Sequence, residues 1–228
     1  MLKPLLSSFE KEQDLDKVKL RAKQAKKQID TTLKSTREMI ANLRDVSLEQ
    51  SLNSKSESLA TLFKECVEEK FLTSDLDVSF SYHLRQEKLL EIDREKVKRV
   101  INNALQNILT AVDSDSKVQI YFASTPAIDG FTEISIKNTG SSCSPEELEK
   151  VFQAGYSSYG DELNQGFGAA IIKKFVELHG GAVRAESCIK ENWFCLYFSL
   201  PCSQEDDKNL VDLPECSNSL GITAPKQH

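Results

Sequence analysis

The chain has 228 residues, 39% hydrophobic and 28% charged, an ordinary balance for a soluble globular protein with length for one good core plus an appendage or for two small domains. Its net charge of -6 argues against general nucleic-acid binding, which needs clustered Lys and Arg for phosphate contacts. No apolar run approaches the ~20 residues that span a bilayer, the start MLKPLLSSFEKEQ turns polar too soon for a secretory leader, and the six cysteines show no CxxC pair, so the reading is a cytoplasmic protein with reduced, packing cysteines.

Residues 14–46 are charged, free of Gly and Pro, and periodic. Val18, Ala22, Ala25, Ile29, Thr32 or Leu33, Thr36, Ile40 and Leu43 follow 4-3-4 spacing and fall on one stripe of a long helix. A narrow stripe with Lys, Arg, Asp and Glu on the other faces needs partners. Residues 1–12 are read as a short antiparallel helix, with Asp14 or Asp16 near the next N-cap. That makes residues 1–50 a helical hairpin and the chain a homodimer through it; the alternative is a solvated helix packing only on its own domain. Residues 47–56, SLEQSLNSKS, form a polar linker.

From there the pattern is mixed. SESLATLFKECVEEKF reads as an amphipathic helix and DVSFSYHL as a strand. DREKVKRVINNALQNILTAV reads as a helix with Asp93 at its N-cap and Val97, Val100, Ile101, Ala104, Leu105 and Ile108 as its apolar face. KVQIYFAS and FTEISIKN are strands. PEELEKVF is a short helix with Pro145 in its first turn, and GFGAAIIKKFVELHGG a helix stopped by two glycines. AVRAES and NWFCLYFSLP close as a hairpin. The sum is an α+β fold, a two-layer sandwich over residues 56–202. Residues 203–228 are polar and aperiodic and read as a disordered tail. The three histidines lack metal-ligand spacing.

Four landmarks stand in order: Asn103-Ala-Leu-Gln-Asn107 on a helix, Asn138-Thr-Gly140 after a strand, Val151-Phe152 after PEELEK, and Gly166-Phe-Gly168 opening the helix that ends in LHGG. Together with the final hairpin, this order resembles the ATP-binding domain of sensor histidine kinases of two-component systems, in the superfamily of gyrase, histidine kinase and MutL ATPases. The resemblance implies ATP and Mg2+ as cofactors, transfer of the γ-phosphoryl to a histidine, and a response-regulator receiver domain as partner. The net charge leaves no nucleic-acid partner expected, and no membrane segment is expected in this chain. The N-terminal region resembles the dimerising hairpin of these kinases, with Pro4 of MLKPLLSSF matching the proline of their phosphate-acceptor segment. The acceptor histidine would then lie just before Met1, as if the chain were cut after it.

The resemblance gives each motif a role. Asn107 takes the place of the Mg2+-coordinating asparagine, a neutral oxygen suited to an ion that also draws oxygens from phosphates. Asn103, four residues earlier, shares its helical face. Asn138 stands where the family carries the aspartate that accepts from the adenine amino group. Gly140 matches the first glycine beside the ring, and Ser142 replaces the second. Gly166 and Gly168 lie at the junction where backbone N–H groups of a helix start hold phosphates. His179-Gly180-Gly181 reads as a structural helix stop.

Several positions depart from the family pattern. No Lys or Arg follows Asn107 in Ile108–Val112, and none lies in residues 154–165, where Asp161 and Glu162 add negative charge. Asn164 stands where a glycine is usual. The implied function is a divergent or truncated histidine-kinase catalytic region that binds Mg-ATP weakly. The alternative is a non-catalytic signalling adaptor that dimerises and docks a response-regulator partner. Asn138→Asp with Asn164→Gly is expected to tighten binding.

Overall fold

The computed structural model describes residues 3–47, 51–71, 77–84, 89–112, 116–125, 128–157 and 166–203, and in the first helix the side chains of residues 17–33, 36–37, 40–42 and 44. The chain divides into two compact units, Met1–Asp45 and Val46–His228.

The first unit is one helix, α1 (Lys3–Ser47). The expected hairpin is therefore corrected to a single element. Between Pro4 and Ser47 there is neither Gly nor Pro, so nothing supplies the non-helical backbone that a helix–helix turn requires. Asp14 and Asp16 lie inside the helix rather than capping a second one. Along the stripe, where side chains are described, Val18, Ile29, Leu33 and Ile40 are exposed.

The second unit begins with β1 (Lys55–Ser58), α2 (Leu59–Phe71), β2 (Val78–His83) and β3 (Leu89–Ile92), followed by α3 (Arg94–Ala111), β4 (Val118–Ser124) and β5 (Phe131–Thr139). It closes with α4 (Pro145–Leu148), α5 (Gly168–Leu178), β6 (Val183–Cys188) and β7 (Trp193–Pro201). The main sheet runs β2-β4-β5-β7-β6, with β1-β3 as a separate pair. β2 and β4 are parallel; the other neighbours are antiparallel, including the final β6–β7 hairpin. The mixed two-layer architecture agrees with the α+β expectation. β1 and β3 were not expected as strands. β1, KSES, is too short and polar to alternate, and forms because it pairs with the apolar LLEI of β3, Ser58 opposite Leu89 and Lys55 opposite Ile92.

One cluster joins helices and sheet. All six residues named for the inner face of α3 are buried in it. They pack with Leu62, Phe63 and Cys66 of α2, Ile171, Ile172 and Phe175 of α5, and the inward rows of β4, β5 and β7. Register aligns those rows: Phe122, Ile136 and Leu196 lie side by side, and one step along lie Ile120, Asn138 and Phe194. The Phe63 ring sits 4.6 Å from that of Phe122, fastening α2 to the sheet. Cys66, Cys143, Cys188, Cys195 and Cys202 are free, and burial pushes the Cys66 thiol up to about 11, as expected of packing cysteines. Ser203, read from sequence as the first tail residue, belongs to the domain: its N–H donates to Leu89 O and its hydroxyl lies 2.6 Å from that of Ser56. Residues 204–228 lie outside the described residues.

Asp93 caps α3 as expected, accepting from Lys96 N–H, and a second network forms around it. Its carboxylate also accepts from Asn53 N–H at 3.0 Å and pairs with Lys96 Nζ at 2.9 Å. Burial pushes this carboxyl up, but those hydrogen bonds outweigh it and hold it below its usual range. Asp93 N–H donates to His179 Nε2 at 3.0 Å, and His179 Nδ1 meets Phe175 O at 2.6 Å. A carbonyl only accepts and a backbone N–H only donates, so the neutral Nδ1–H tautomer is the one that fits both. His179 thus ties the end of α5 to the start of α3, a structural role as expected.

Burial lowers the His179 pKa below its usual 6.5, partly offset by the Phe175 hydrogen bond. The unfolded chain therefore binds more protons than the folded one as pH falls below about 6.5, and stability falls with it, by up to about 1.4 kcal/mol per pH unit. The Asp93 contribution is lost separately, in a more acidic window below its usual 3.8. Denaturant midpoints should drop between pH 7 and pH 5. His179→Gln should flatten that slope; an unchanged slope in the variant would contradict the assignment.

Candidate functional site

The site is laid out along α3. Asn103 and Asn107 share the face turned away from the core, Asn103 half-buried and Asn107 exposed. Asn103 Nδ2 donates to Arg99 O at 2.8 Å, which orients its amide and leaves Oδ1 on the far side. Gly168 opens α5 directly against this pair. A Cβ built on it would fall 3.1 Å from Asn107 Oδ1 and 3.3 Å from Asn103 Oδ1. The structure therefore brings together three of the six residues singled out from sequence, with two neutral amide oxygens converging on a helix start.

That helix start is open. Phe167 stands at its N-cap and offers no side-chain cap, so the first-turn N–H groups keep their donor capacity and partial positive charge. Phe167 packs against the core instead, which fixes where α5 begins. Arg99, one turn before Asn103, carries its guanidinium over the Phe175 ring at 5.6 Å. A cation thus stands upstream of the asparagine pair, where the sequence reading looked for one downstream.

Gly166 adopts φ 67°, and a Cβ there would lie 2.5 Å from Gly155 C and Tyr156 O. Gly155 N–H donates to Gly166 O at 3.0 Å. Both ends of the segment between them are therefore clasped at one point. The interior of that segment, residues 158–165, lies outside the described residues, and with it the expectations for Asp161, Glu162 and Asn164.

Asn138 continues the inward row Thr132, Ile134, Ile136 of β5 and is only 1% exposed. Where the row reaches the core's edge, a polar side chain replaces an apolar one. Its Nδ2 donates to Thr139 O at 3.1 Å and to Ser141 Oγ at 2.8 Å. Among the described residues no donor reaches its Oδ1. A buried acceptor without a partner costs ~1–3 kcal/mol, and a ligand donor there would recover it. Ser141, itself buried, was not singled out from sequence, because a loop hydroxyl gives no periodic or spacing signal.

The loop after β5 is tied down on the far side by the β6–β7 hairpin. Gly140 N–H donates to Asn192 O at 2.9 Å. Cys143 N–H donates to Ser187 Oγ at 2.8 Å, whose hydroxyl donates to Trp193 O. Ser144 then caps α4 in a capping box with Glu147. Gly140 also faces the end of α3, its missing Cβ 3.4 Å from Val112 Cγ1. This contact brings the β5 loop to the helix that carries the asparagine pair. Among the described residues no three His, Cys, Asp or Glu side chains gather in metal-ligand array. An ion at Asn107 would be held by neutral oxygen and by a ligand's own oxygens, the manner of Mg2+.

Residues 92–204 match the family described as histidine kinase-, DNA gyrase B-, and HSP90-like ATPase. The sensor protein FixL of Bradyrhizobium diazoefficiens is 27% identical over 118 residues, 52% of this chain and 23% of FixL. The chain thus spans about a quarter of the length of the curated relatives it matches. Among solved structures, full-length ShkA in complex with AMPPNP superposes with a TM-score of 0.63 at 18% identity, over 76% of this chain and 36% of that one. Histidine kinase ThkA in complex with response regulator protein TrrA superposes at 0.60 and 23%, over 79% and 51%. At these identities the structural likeness establishes the fold.

Proposed function

We propose, for a chain whose residues 92–204 belong to the histidine kinase-, DNA gyrase B-, and HSP90-like ATPase family, that the second unit binds Mg-ATP as the catalytic region of a divergent sensor histidine kinase. The observation that carries this reading is the convergence of Asn103 Oδ1 and Asn107 Oδ1 on Gly168 at the uncapped start of α5. Phosphate oxygens would take the free N–H groups of that helix start. Asn107 would hold Mg2+, and the ion would supply charge neutralisation to the phosphates. Asn138 Oδ1 offers a buried acceptor to the base. ShkA was solved with AMPPNP, which supports an adenine nucleotide as the ligand class.

In phosphoryl transfer the protein contributes positioning and charge neutralisation rather than covalent chemistry. α3 and α5 provide the positioning. No residue from 1 to 47 is a histidine, so α1 does not supply the phosphoryl acceptor; its role in this reading is to pair two copies and to present a surface to a response-regulator receiver domain. The ThkA–TrrA complex supports that class of partner. Among the described residues no helix is long and apolar enough to cross a membrane.

The affinity should lie in the high micromolar range, since Ile108–Val112 offers no cation to the phosphates and each lost polar contact is worth roughly 0.5–1.5 kcal/mol. Calorimetric titration with Mg-ATP tests this, with Gly168→Val as the control. The valine would drive its Cβ and methyls into both asparagine amides, which can swing aside, so binding should be lost while the melting temperature barely moves. A chain that binds no Mg-ATP would overturn the reading. The adaptor alternative is favoured by the thinned charge around the phosphate region; it predicts Mg-ATP binding, if any, without phosphoryl transfer to a supplied histidine-bearing kinase hairpin.

A further inference from the structure

We infer that Asp93 is a junction through which the segment following α1 sets nucleotide affinity: with Asn53 tied to the Asp93 carboxylate, α5 is held where its start meets Asn103 and Asn107, and with Asn53 released, α5 can slip along α3. This rests on the nucleotide-binding reading above and goes beyond it to how that site is regulated.

Helices α3 and α5 run antiparallel, in contact at three levels. At one end Gly168 faces Asn103 and Asn107. Midway the Arg99 guanidinium lies over the Phe175 ring. At the other end His179 Nε2 accepts from Asp93 N–H at 3.0 Å. The two ends are about 15–20 Å apart at 1.5 Å of rise per residue. Apolar side chains press the helices together without direction; the hydrogen bond at the far end gives them a register. It joins two residues that are each 6% exposed. The near end has no slack, since a Cβ on Gly168 would already fall 3.1 Å from Asn107 Oδ1, and Phe167 offers α5 no side-chain cap. A small slide of α5 therefore misplaces the helix-start N–H groups against the asparagine pair.

Three segments of chain meet at Asp93. Its Oδ1 accepts from Lys96 N–H at 3.2 Å, which caps α3, and its Oδ2 from Lys96 Nζ at 2.9 Å and from Asn53 N–H at 3.0 Å. Its own N–H holds His179. Asn53 follows shortly after α1, which ends at Ser47. The β1–β3 ladder runs on from it, Lys55 opposite Ile92 and Ser58 opposite Leu89. The segment arriving from α1 is thus fastened along the strand that leads into α3, and the Asn53–Asp93 bond falls on the residue that grips α5. That bond is the accessible one: Asn53 is exposed, whereas Asp93 and His179 are buried. Opening it takes a donor from a buried carboxylate, which is costly. The carboxylate recovers by turning toward water, and its backbone N–H then leaves the His179 ring. Tied and untied are two discrete arrangements, which is what coupling between distant sites requires.

Coupling is reciprocal: whatever the tie adds to nucleotide affinity, bound nucleotide adds to the tie. Amide hydrogen exchange at Asn53, read by NMR on the full chain with and without saturating Mg-ATP, measures this without any substitution. Exchange there should slow by about fivefold or more when nucleotide binds, the lower end of couplings between sites. Asp93→Asn provides the second measurement. An asparagine oxygen still accepts from Lys96 N–H and keeps the cap, but its amide NH2 turns toward the Asn53 N–H and unties it. In calorimetry this variant should bind Mg-ATP more weakly by the same factor, and nucleotide should no longer slow exchange at Asn53. Exchange at Asn53 that ignores bound nucleotide would overturn the inference while leaving nucleotide binding intact. So would Asp93→Asn with undiminished affinity, even at a lower melting temperature, since Asp93 would then be a structural cap alone. A chain that binds no Mg-ATP overturns this inference together with the proposed function.

Discussion

Replacing Gly166 by alanine should lower the melting temperature by roughly 6–12 °C, while Gly155→Ala should cost less than half as much. Both glycines lie in the left-handed region, φ 67° and 82°, where a side chain costs ~1–2 kcal/mol. Their surroundings differ. A Cβ on Gly155 meets open space; one on Gly166 meets the Gly155 carbonyl carbon and Tyr156 O at 2.5 Å. Those obstacles are backbone, which cannot swing aside as the asparagine amides beside Gly168 can. Overpacking of this kind costs a further ~1–3 kcal/mol, and in a chain of this size each kcal/mol moves the transition by ~2–4 °C. The contact lies two residues before α5, so relief of the clash has to displace the helix start that faces Asn103 and Asn107. Nucleotide affinity should therefore fall at least tenfold as well. Thermal melts and Mg-ATP titrations of the two variants side by side check both points. Equal effects from the two substitutions would show that the Gly155–Gly166 clasp does not hold the site.

The parts of this molecule that sequence made legible are those in which a repeat of side-chain chemistry follows the period of an element. The 3.6-residue recurrence of Val97, Val100, Ile101, Ala104, Leu105 and Ile108 placed α3 and its buried face together, and Asp93 marked its start. Alternation in FTEISIKN placed β5, and the structure shows Asn138 on its inward side. The asparagine pair and Gly168 were singled out by resemblance, and the contact between them explains why the family spacing matters: glycine is what lets α5 begin against two amides. What escaped has another physical origin. β1 exists only through its partner, and four polar residues contain no record of a pairing made across a gap of about thirty positions. Ser141 earns its place by one hydrogen bond to a side chain three residues away, which no pattern of polarity encodes. The hairpin expected in residues 1–50 placed a turn near Asp14, inside a run that holds neither Gly nor Pro. Aspartates alone, inside an unbroken run of helix formers, are not a stop signal.

The single helix makes self-association more necessary than a hairpin would. α1 has 45 residues, ~68 Å at 1.5 Å per residue, and its unit holds no second helix against which to pack. A helix draws most of its stability from packing an apolar face. Val18 is 61% exposed, Ile29 58%, Leu33 50% and Ile40 62%, all on one stripe at heptad-like spacing in a helix whose other faces are mostly charged or polar, so the face that needs cover is the face that a second copy offers in return. Burying such a side chain completely is worth ~1.5–3 kcal/mol. Completing the burial of these four on each of two copies gives on the order of 8 kcal/mol or more, against an association cost of ~4–15 kcal/mol. The dimer that we propose is therefore moderate in strength and sensitive to single positions. Ile29→Asp with Ile40→Asp removes two of the four contacts on each chain and brings like charges together at the seam. Light scattering at tens of micromolar should show a dimer for the unmodified chain and a monomer for the variant. Circular dichroism should show helicity that rises with concentration only in the former, because α1 frays without its partner while the second unit keeps its own core. A monomeric unmodified chain with concentration-independent helicity would rule out pairing through α1.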